Sequence, residues 1–360
     1  MSVKKTWVKG LLACSLAAIV LAGCGSSSGD GNSANGNTTG GKPQKLVIST
    51  WGFAEDFYNK EVYEPFEKAH NVKIVLETGN NADRLSKIMQ GSSDVDVIYL
   101  SDYYAQQGIE AGAFETIDRS HFKNLEHIYE IAQAPNGEEY GPAYTIGQLG
   151  IAYDPQAAGT TIESWGDLWK PELKGKLTMP SITSTSGPMM VDAASKISGS
   201  AEFNEDQAFE QLAALNPSVV KYYSKTSEFV NMFTQGEAAA GPIMQMYLSD
   251  LQKAVPGIEF VTPKEGAYAI INTLNVVKGS KNKELAEQFI DWQLSQEVQE
   301  KAAKAKVDSP ANKDVKLTEE EAAGVTYGAD VVEKLQKLDM AFVNSHLKAW
   351  TDRFNREVTR

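Results

Sequence analysis

Apolar positions beyond residue 43 follow two alternating spacings, one typical of buried strands and the other of amphipathic helices. β-branched runs at residues 45–50, 72–76 and 95–100 predict strands, while residues 57–70 and 81–89 carry apolar side chains at helical spacing. This β-α-β-α-β order predicts an α/β fold with a parallel sheet and right-handed crossovers. Ligands bind such sheets at the carboxyl ends of the strands.

The second half of the chain repeats this alternation after Gly141-Pro142. The pattern predicts strands at residues 148–153, 176–179, 219–223, 238–244 and 268–277. It predicts helices at residues 189–197, 206–215, 227–234 and 283–294, and a mostly helical tail at 318–359. No motif recurs with a period of about 20–50 residues, which argues against a solenoid or a propeller.

The N-terminus has the pattern of a secretory signal peptide, which we place at residues 1–23. Three lysines precede an apolar run at residues 10–22 that is shorter than the roughly 20 residues of a membrane-spanning helix. The following LAGC at residues 21–24 resembles the lipobox of bacterial lipoproteins, which implies a lipid on Cys24. The alternative is an ordinary small residue near a soluble-export cleavage site.

Residues 25–43 have the composition of a flexible linker. They are rich in Gly, Ser, Asn and Thr and contain no large apolar side chain, so they cannot bury enough surface to offset their ordering entropy. A coil of this length spans about 24 Å. We therefore expect residues 24–43 to be a lipidated linker that holds an extracytoplasmic body at the cell membrane.

The acidic composition narrows the possible partners. Lys and Arg number 34 against 47 Asp and Glu, for a net charge of −13, and removal of the three N-terminal lysines leaves 31 against 47. An acidic surface argues against nucleic acid as a partner. Both cysteines, Cys14 and Cys24, precede the folded body, which therefore has no disulfide and no thiol chemistry.

A secreted hydrolase is the rival class of protein. The sequence lacks a Gly-x-Ser-x-Gly elbow, a His-Glu-x-x-His motif and a cysteine nucleophile in the body. Its four histidines lie in stretches typical of solvated helix or loop: His70, His121, His127 and His346. We expect no enzymatic activity, no cofactor and no bound metal.

Two groups of residues have the chemistry of a ligand site. Large aromatic side chains follow the first and third predicted strands, at Trp51, Phe53 and Tyr103, where a sheet of this kind binds ligands. Consecutive hydroxyl residues precede the predicted helix at 189–197, where free backbone N–H groups favour an anionic group: Thr183, Ser184, Thr185, Ser186 and the adjoining Gly187.

Four segments carry a resemblance to a known family: Trp51 after the first strand, DVIYLSDYY at 96–104, SWGDLWKPELKG at 164–175 and PKEG at 263–266. They resemble the extracellular solute-binding proteins of ABC importers, in the spermidine/putrescine-binding group. The likeness covers nearly all of residues 45–315.

The resemblance implies a two-lobed periplasmic-binding-protein-like fold, in which each lobe is a mostly parallel sheet flanked by helices. By analogy, lobe 1 comprises residues 44–144 plus 272–318, and lobe 2 residues 145–271 plus 319–360. Crossing hinge strands would join them at Tyr144, Thr145 and Ile271. A monomer that delivers a small solute to a permease and its ATPase is expected.

The class of ligand is left open by the residues themselves. The family's aromatic walls and acidic residues suit a polyamine, and Trp51 and Tyr103 fit the aromatic role. However, Ile270 and Asn272 stand where a Trp and an Asp are expected, and Met244 stands where another Trp is expected, beside Gln245 and close to Tyr247. A polyamine or related amine, an anionic or zwitterionic solute such as a phosphonate or thiamine phosphate, and ferric iron are the alternatives. Iron would need paired tyrosines with a histidine or a carboxylate, and the adjacent Tyr222 and Tyr223 point to opposite faces of a predicted strand.

Overall fold

The computed structural model describes residues 43–91, 93–199 and 202–359. The predicted signal peptide, most of the linker and the predicted lipid site at Cys24 lie outside these residues. In the described part of the chain, no helix combines the length and the apolar character needed to cross a membrane.

The described strands form a nine-stranded sheet with the order β2-β1-β3-β9-β4-β7-β5-β6, and β8 pairs with β4 beside this path. Their bounds are β1 Gln44–Thr50, β2 Val72–Thr78, β3 Val97–Ser101, β4 Ala143–Tyr153, β5 Leu177–Pro180, β6 Val219–Tyr223, β7 Ala240–Met244, β8 Glu259–Val261 and β9 Tyr268–Val276.

The sheet consists of two parallel parts joined by an antiparallel pair. In the first half, β1 runs parallel to β2 and β3, and in the second, β5 runs parallel to β6 and β7. Between them β9 is antiparallel to both β3 and β4, and β4 is antiparallel to β7. The prediction of two α/β lobes linked by crossing strands is confirmed by this arrangement.

Helices cover the faces of the sheet. They are α1 Glu55–Tyr58, α2 Glu64–His70, α3 Asn81–Met89, α4 Asp102–Glu110, α5 Glu130–Gln133, α6 Pro155–Ala158, α7 Gly187–Ile197, α8 Glu205–Leu215, α9 Thr226–Thr234, α10 Leu248–Ala254, α11 Lys283–Gln293, α12 Gln296–Lys304, α13 Glu319–Ala322, α14 Ala329–Val332 and α15 Met340–Glu357. Short 3₁₀ turns occur at Arg119–His121, Leu125–His127, Trp165–Trp169, Pro171–Leu173, Asn216–Ser218 and Gln245–Tyr247.

The helix predicted at residues 57–70 contains a π-helical turn, Asn59–Tyr63, between α1 and α2. Pro65 lies in the first turn of α2 and has no N–H to donate to the preceding turn. The wider turn therefore lies where a regular helical hydrogen bond is missing. It also turns Tyr58 and Tyr63 inward, and both rings are buried.

Each half of the sheet has its own apolar core. The first-half core lies between β1, β3 and α11 and includes Phe66, Tyr99 and Phe289. The second-half core lies around β5, α7 and α8 and includes Phe209 and, from α15, Trp350. The C-terminal helix thus belongs to the packing of the second half.

Gly141 allows the chain to enter β4 in close contact with β9. A Cβ atom at this position would lie 1.6 Å from the carbonyl oxygen of Leu274, so only glycine fits. The resulting β4–β9 pairing sets Thr145 opposite Asn272 and Ile146 opposite Ile271. The residues predicted as hinges therefore lie side by side on the two strands that join the halves.

Candidate ligand-binding cleft

A cavity of about 720 Å³ lies at the carboxyl ends of β1, β3 and β7, against β4 and β9. Aromatic and apolar side chains form most of its wall: Trp51, Phe53, Tyr58, Tyr144, Met244, Met246, Tyr247 and Ile270. Polar groups come from Thr50, Asn81, Ser101, Thr185, Asn272 and Asp308.

Trp51 is held in the wall by a buried cation. The guanidinium carbon of Arg84 lies 5.1 Å from the centre of the indole ring. Arg84 also donates hydrogen bonds to the carbonyl oxygens of Ser49 and Tyr99, at 3.0 and 2.8 Å. Burial lowers the pKa of Arg84 to about 10, which leaves it cationic near neutral pH. This contact fixes the orientation of the indole from behind.

Phe53 forms the outer edge of the same wall. Its side chain is 39% exposed, unlike the core aromatics beneath it. Gly52 precedes it with a φ of 72°, a left-handed conformation that favours glycine. The turn at Gly52 carries the chain out of β1, and Phe53 lines the cavity with a ring face that a ligand can contact.

The carboxylate of Asp308 lies in the floor of the cavity and accepts a hydrogen bond from the hydroxyl of Tyr58. Burial raises the pKa of Asp308 to about 7, and the hydrogen bond from Tyr58 opposes that rise. Tyr144 is hydrogen-bonded to Tyr58 in turn, and burial raises the pKa of both phenols. Because a buried carboxylate favours a cation beside it, this floor is suited to an ammonium group.

Two neutral polar side chains lie together in the lining of the same cavity. Ser101 and Asn272 are directly paired across β3 and β9, so their side chains lie on the same face of the sheet. Ser101 is 3% exposed, and its Oγ has no hydrogen-bond partner in the described residues. Both residues line the cavity.

A second cavity, of about 1,000 Å³, adjoins the first at Asn81, Thr185 and Met244. The hydroxyl segment predicted from sequence lines it, together with Lys225 and Thr226 at the start of α9. Ser184 Oγ donates to the carbonyl oxygen of Ser181 at 2.8 Å, and Ser186 is hydrogen-bonded to Tyr223. Part of the hydroxyl segment therefore stabilises its own turn.

A third, smaller cavity of about 280 Å³ lies beneath the first and includes Thr145 and Gln245. Gln245 Oε1 accepts hydrogen bonds from Gln148 Nε2 at 2.9 Å and from Thr326 Oγ1 at 2.8 Å. Its carbonyl group is therefore already occupied by contacts that join β4 to the C-terminal segment.

The predicted site residues fall into four places. Trp51, Phe53, Thr185, Tyr247 and Asn272 line the main cavity, and Tyr144 of the predicted hinge joins them. Thr183, Ser184 and Ser186 line the second cavity and Gln245 the third. Ile271 is fully buried in β9.

Two predicted residues lie apart from these cavities. Tyr103 is 2% exposed and packs in the second-half core against Tyr104. Gly187 begins α7, where a Cβ atom would lie 2.3 Å from the carbonyl oxygen of Ser181. The nearby backbone leaves no room for a side chain at Gly187, which explains why a glycine is needed at that turn.

The cavity also contains residues that the sequence analysis did not select. Asp308 and Tyr58 are separated by 250 positions, so no local pattern connects them. Ser101 lies one position beyond the predicted third strand. Asn81 begins the predicted helix at 81–89. Its position shortly after the end of β2 was the one feature of the sequence that could have indicated a place in the site.

The described residues contain no group of three or more His, Cys, Asp or Glu side chains arranged to hold a metal ion. The hydroxyl of Tyr222 donates to Asn216 and that of Tyr223 to the carbonyl oxygen of Pro242. Both phenols are thus engaged in structural hydrogen bonds.

The family model described as bacterial extracellular solute-binding protein matches residues 61–329 of this chain. The chain is 25% identical over 303 residues to the spermidine/putrescine-binding periplasmic protein 1 of Haemophilus influenzae, covering 81% of each protein. It is 24% identical to the putrescine-binding periplasmic protein PotF of Escherichia coli, covering 97% of this chain and 98% of that protein.

Solved structures agree with these sequence matches. A crystal structure of an ABC transporter from Clostridium perfringens is 46% identical to this chain, with a TM-score of 0.79 over 87% of this chain and 99% of that one. The spermidine/putrescine ABC transporter substrate-binding protein PotD from Streptococcus pneumoniae has the same fold, with 21% identity and a TM-score of 0.70 over 86% of this chain and 99% of that one.

Proposed function

The chain belongs to the family of bacterial extracellular solute-binding proteins, and we propose that its cleft captures a polyamine or a related amine for an ABC importer. The observation that carries this proposal is the carboxylate of Asp308 in the floor of an aromatic cavity. It supplies the counter-charge that the sequence analysis found missing at position 272.

The walls suit the rest of such a ligand. A methylene chain can lie against Trp51, Phe53 and Tyr247, which all line the cavity, and aromatic faces also attract an ammonium group. An ammonium buried without a counter-charge costs several kcal/mol, about 2–7 even for a neutral polar group, so Asp308 decides whether a cation is accepted. Two relatives named for spermidine or putrescine support the same class of ligand.

The other ligand classes are not favoured. An anionic group in the main cavity would lie near the carboxylate of Asp308, and ferric iron would need a set of ligands that the described residues do not assemble. An importer's binding protein needs capture and release rather than turnover, so we propose that the chain has no enzymatic activity.

We extend the proposal to the way the protein is held and moves. Signal peptide 1–23, a lipid on Cys24 and linker 24–43 would keep the body at the cell membrane, within reach of the permease. Closure would occur between lobes 44–144 plus 272–318 and 145–271 plus 319–360. Tyr144 and Thr145 in β4 and Ile271 in β9 would serve as the hinge, because β4 and β9 are the paired strands that join the two halves.

Thermal unfolding with putrescine, spermidine and aminoethylphosphonate tests the proposal. A ligand at 100 times its Kd stabilises the folded state by about 2.7 kcal/mol, so at a sufficiently high concentration at least one of the two amines should raise Tm, and the phosphonate should not. Asp308→Asn should abolish the shift, while the exposed control Asp250→Asn should retain it. A shift with the phosphonate alone would contradict the amine assignment.

A further inference from the structure

We propose that the cleft selects a linear amine with one ammonium group, held at Asp308, and an uncharged hydrogen-bonding group at its other end, held by Ser101 and Asn272. This inference rests on the proposed function and narrows its ligand. A monoacylated diamine and an amino alcohol belong to this class, whereas a simple diamine does not.

The count of carboxylates in the cleft supports a single buried ammonium. Among the described residues that line the three cavities, Asp308 is the one acidic side chain. A simple diamine carries two ammonium groups near neutral pH. Its second charge would lose its hydration without gaining a counter-charge in the floor, which is strongly unfavourable.

Ser101 and Asn272 provide a neutral site of the opposite kind. The Oγ of Ser101 is buried without a partner among the described residues, and a buried hydroxyl left unpaired is destabilising. A ligand that hydrogen-bonds this hydroxyl removes that cost. Asn272 lies beside it in the strand pairing and adds an amide that can donate or accept. Together they match an amide or hydroxyl group on the ligand.

Two successive strand pairings connect Ser101 to the segment that carries Asp308. Ser101 pairs with Asn272, and Asn272 pairs with Thr145. Thr145 Oγ1 donates to the carbonyl oxygen of Ser309 at 2.7 Å, next to Asp308. Adjacent strands lie about 4.8 Å apart, so Ser101 lies two strand spacings, of the order of 10 Å, from Thr145, whereas Asn272 lies one spacing from it and lines the same small cavity as Asp308. An ammonium and an amide joined by a short methylene chain can contact both Asp308 and Ser101.

The adjoining second cavity disfavours a further positive charge. It is lined by the first residues of α3 and α9 and by Ser186, which immediately precedes α7. Helix N-termini carry a partial positive charge. Lys225 adds a cation to the same cavity. An ammonium that extended from the main cavity in this direction would meet repulsion, while a carbonyl oxygen would be attracted.

Calorimetric titration of the full chain with a matched set of four-carbon ligands tests the inference: putrescine, N-acetylputrescine, 4-amino-1-butanol, butylamine and 4-aminobutanoate. We expect N-acetylputrescine to bind at least roughly tenfold more tightly than putrescine. Ser101→Ala should weaken the binding of N-acetylputrescine by a much larger factor than the binding of butylamine. Because Ser101 Oγ makes no hydrogen bond in the described residues, the variant should fold, and an unchanged Tm checks this. The exposed Ser345→Ala is the matched control.

The possible outcomes separate this inference from the function on which it rests. If putrescine binds as tightly as N-acetylputrescine, the single-ammonium class is wrong and the amine-binding function stands. If 4-aminobutanoate binds most tightly, the far end of the ligand is charged and the inference is also wrong. If none of the four cationic amines binds, the proposed function itself is overturned.

Discussion

Arg84 and Trp51 donate to the same atom: Arg84 Nη2 and Trp51 Nε1 each lie 3.1 Å from Asn81 Oδ1. The aromatic wall of the cavity and the buried cation behind it therefore share one acceptor. The side chain of Asn81, at the start of α3, fixes both groups at once and links them to the carboxyl end of β2.

Arg84→Lys should destabilise the protein and weaken ligand binding. A lysine cannot reproduce the fork of hydrogen bonds to Ser49, Tyr99 and Asn81, and several buried acceptors would lose their donor. We expect a loss of about 2–4 kcal/mol in the free energy of unfolding, measured by urea denaturation. The exposed Arg356→Lys should change it by less than about 0.5 kcal/mol. Equal stability of the two variants would contradict the role assigned to Arg84.

Trp51 should report ligand binding by fluorescence. Its indole lines the cavity, so occupancy and closure change its surroundings. We expect Trp51→Phe to lose the ligand-induced change in emission and to bind several-fold more weakly. Trp292→Phe is the matched control, because the Trp292 indole donates to the carbonyl oxygen of Val62 in the first-half core. A full emission change in Trp51→Phe would place the ligand elsewhere.

Binding of an amine should strengthen as the pH rises through 7. The pKa of Asp308 is raised to about 7, so its carboxylate is mostly protonated at pH 6 and mostly ionised at pH 8. Because an ammonium prefers the ionised form, we expect the affinity to rise roughly tenfold over this interval. Titrations at pH 6, 7 and 8 measure it. Asp308→Asn should show weak binding with no such dependence.

Asp102 should make the unliganded protein less stable as the pH rises. It is 1% exposed, and burial raises its pKa from 3.8 to about 7, opposed by the backbone N–H of Tyr103 and by Lys337. In the unfolded chain the group ionises near pH 4, so its contribution is fully present below that pH and is lost as the pH rises through about 7.

Asp102→Asn removes this effect. Relative to wild type, the variant should gain about 2 kcal/mol in the free energy of unfolding between pH 5 and pH 8, measured by urea denaturation at both values. The exposed Asp250→Asn should shift both values equally. The opposite result would be a free energy of unfolding that rises more in the wild type than in Asp102→Asn between pH 5 and pH 8. It would show that burial does not raise the pKa of Asp102.

The lipid on Cys24 remains a prediction from the lipobox-like LAGC at residues 21–24. We expect Cys24→Ser to release the protein from the membrane fraction, because the linker that follows offers no apolar anchor of its own. Fractionation and mass spectrometry of the N-terminal peptide measure this. An unmodified cysteine in wild-type cells would contradict the prediction.

Residues whose environment follows from local pattern could be predicted from the sequence. Residues 81–89 were predicted as a helix and form α3 with the same bounds. Trp51 and Phe53 follow a strand whose apolar run is clear, so their place at a strand end was predictable. The bounds of the elements in the second half were predicted less accurately. For example, β4 begins at Ala143, whereas the apolar pattern predicted a strand that begins at residue 148.

Other parts of the site depend on contacts distant in sequence. Arg84 lies on a helix that carries many polar residues, and it is buried only because β1 and β3 offer it carbonyl oxygens. Tyr103 follows a strand as Trp51 does, yet its ring packs in the second-half core. A sequence pattern locates such a ring along the chain and does not determine which way it turns.

Asp308 lies in an irregular segment between α12 and α13 and belongs to no strand of the sheet. The segment contacts the sheet through an isolated bridge between Pro310 and Thr145 of β4. The Asp308 carboxylate, which would determine whether a cationic ligand is accepted, is therefore not part of the strands that join the two halves. A substitution there can alter ligand preference while the packing of both cores is preserved. Single substitutions in such a segment can change ligand specificity during evolution without any change in the sheet or in the two cores.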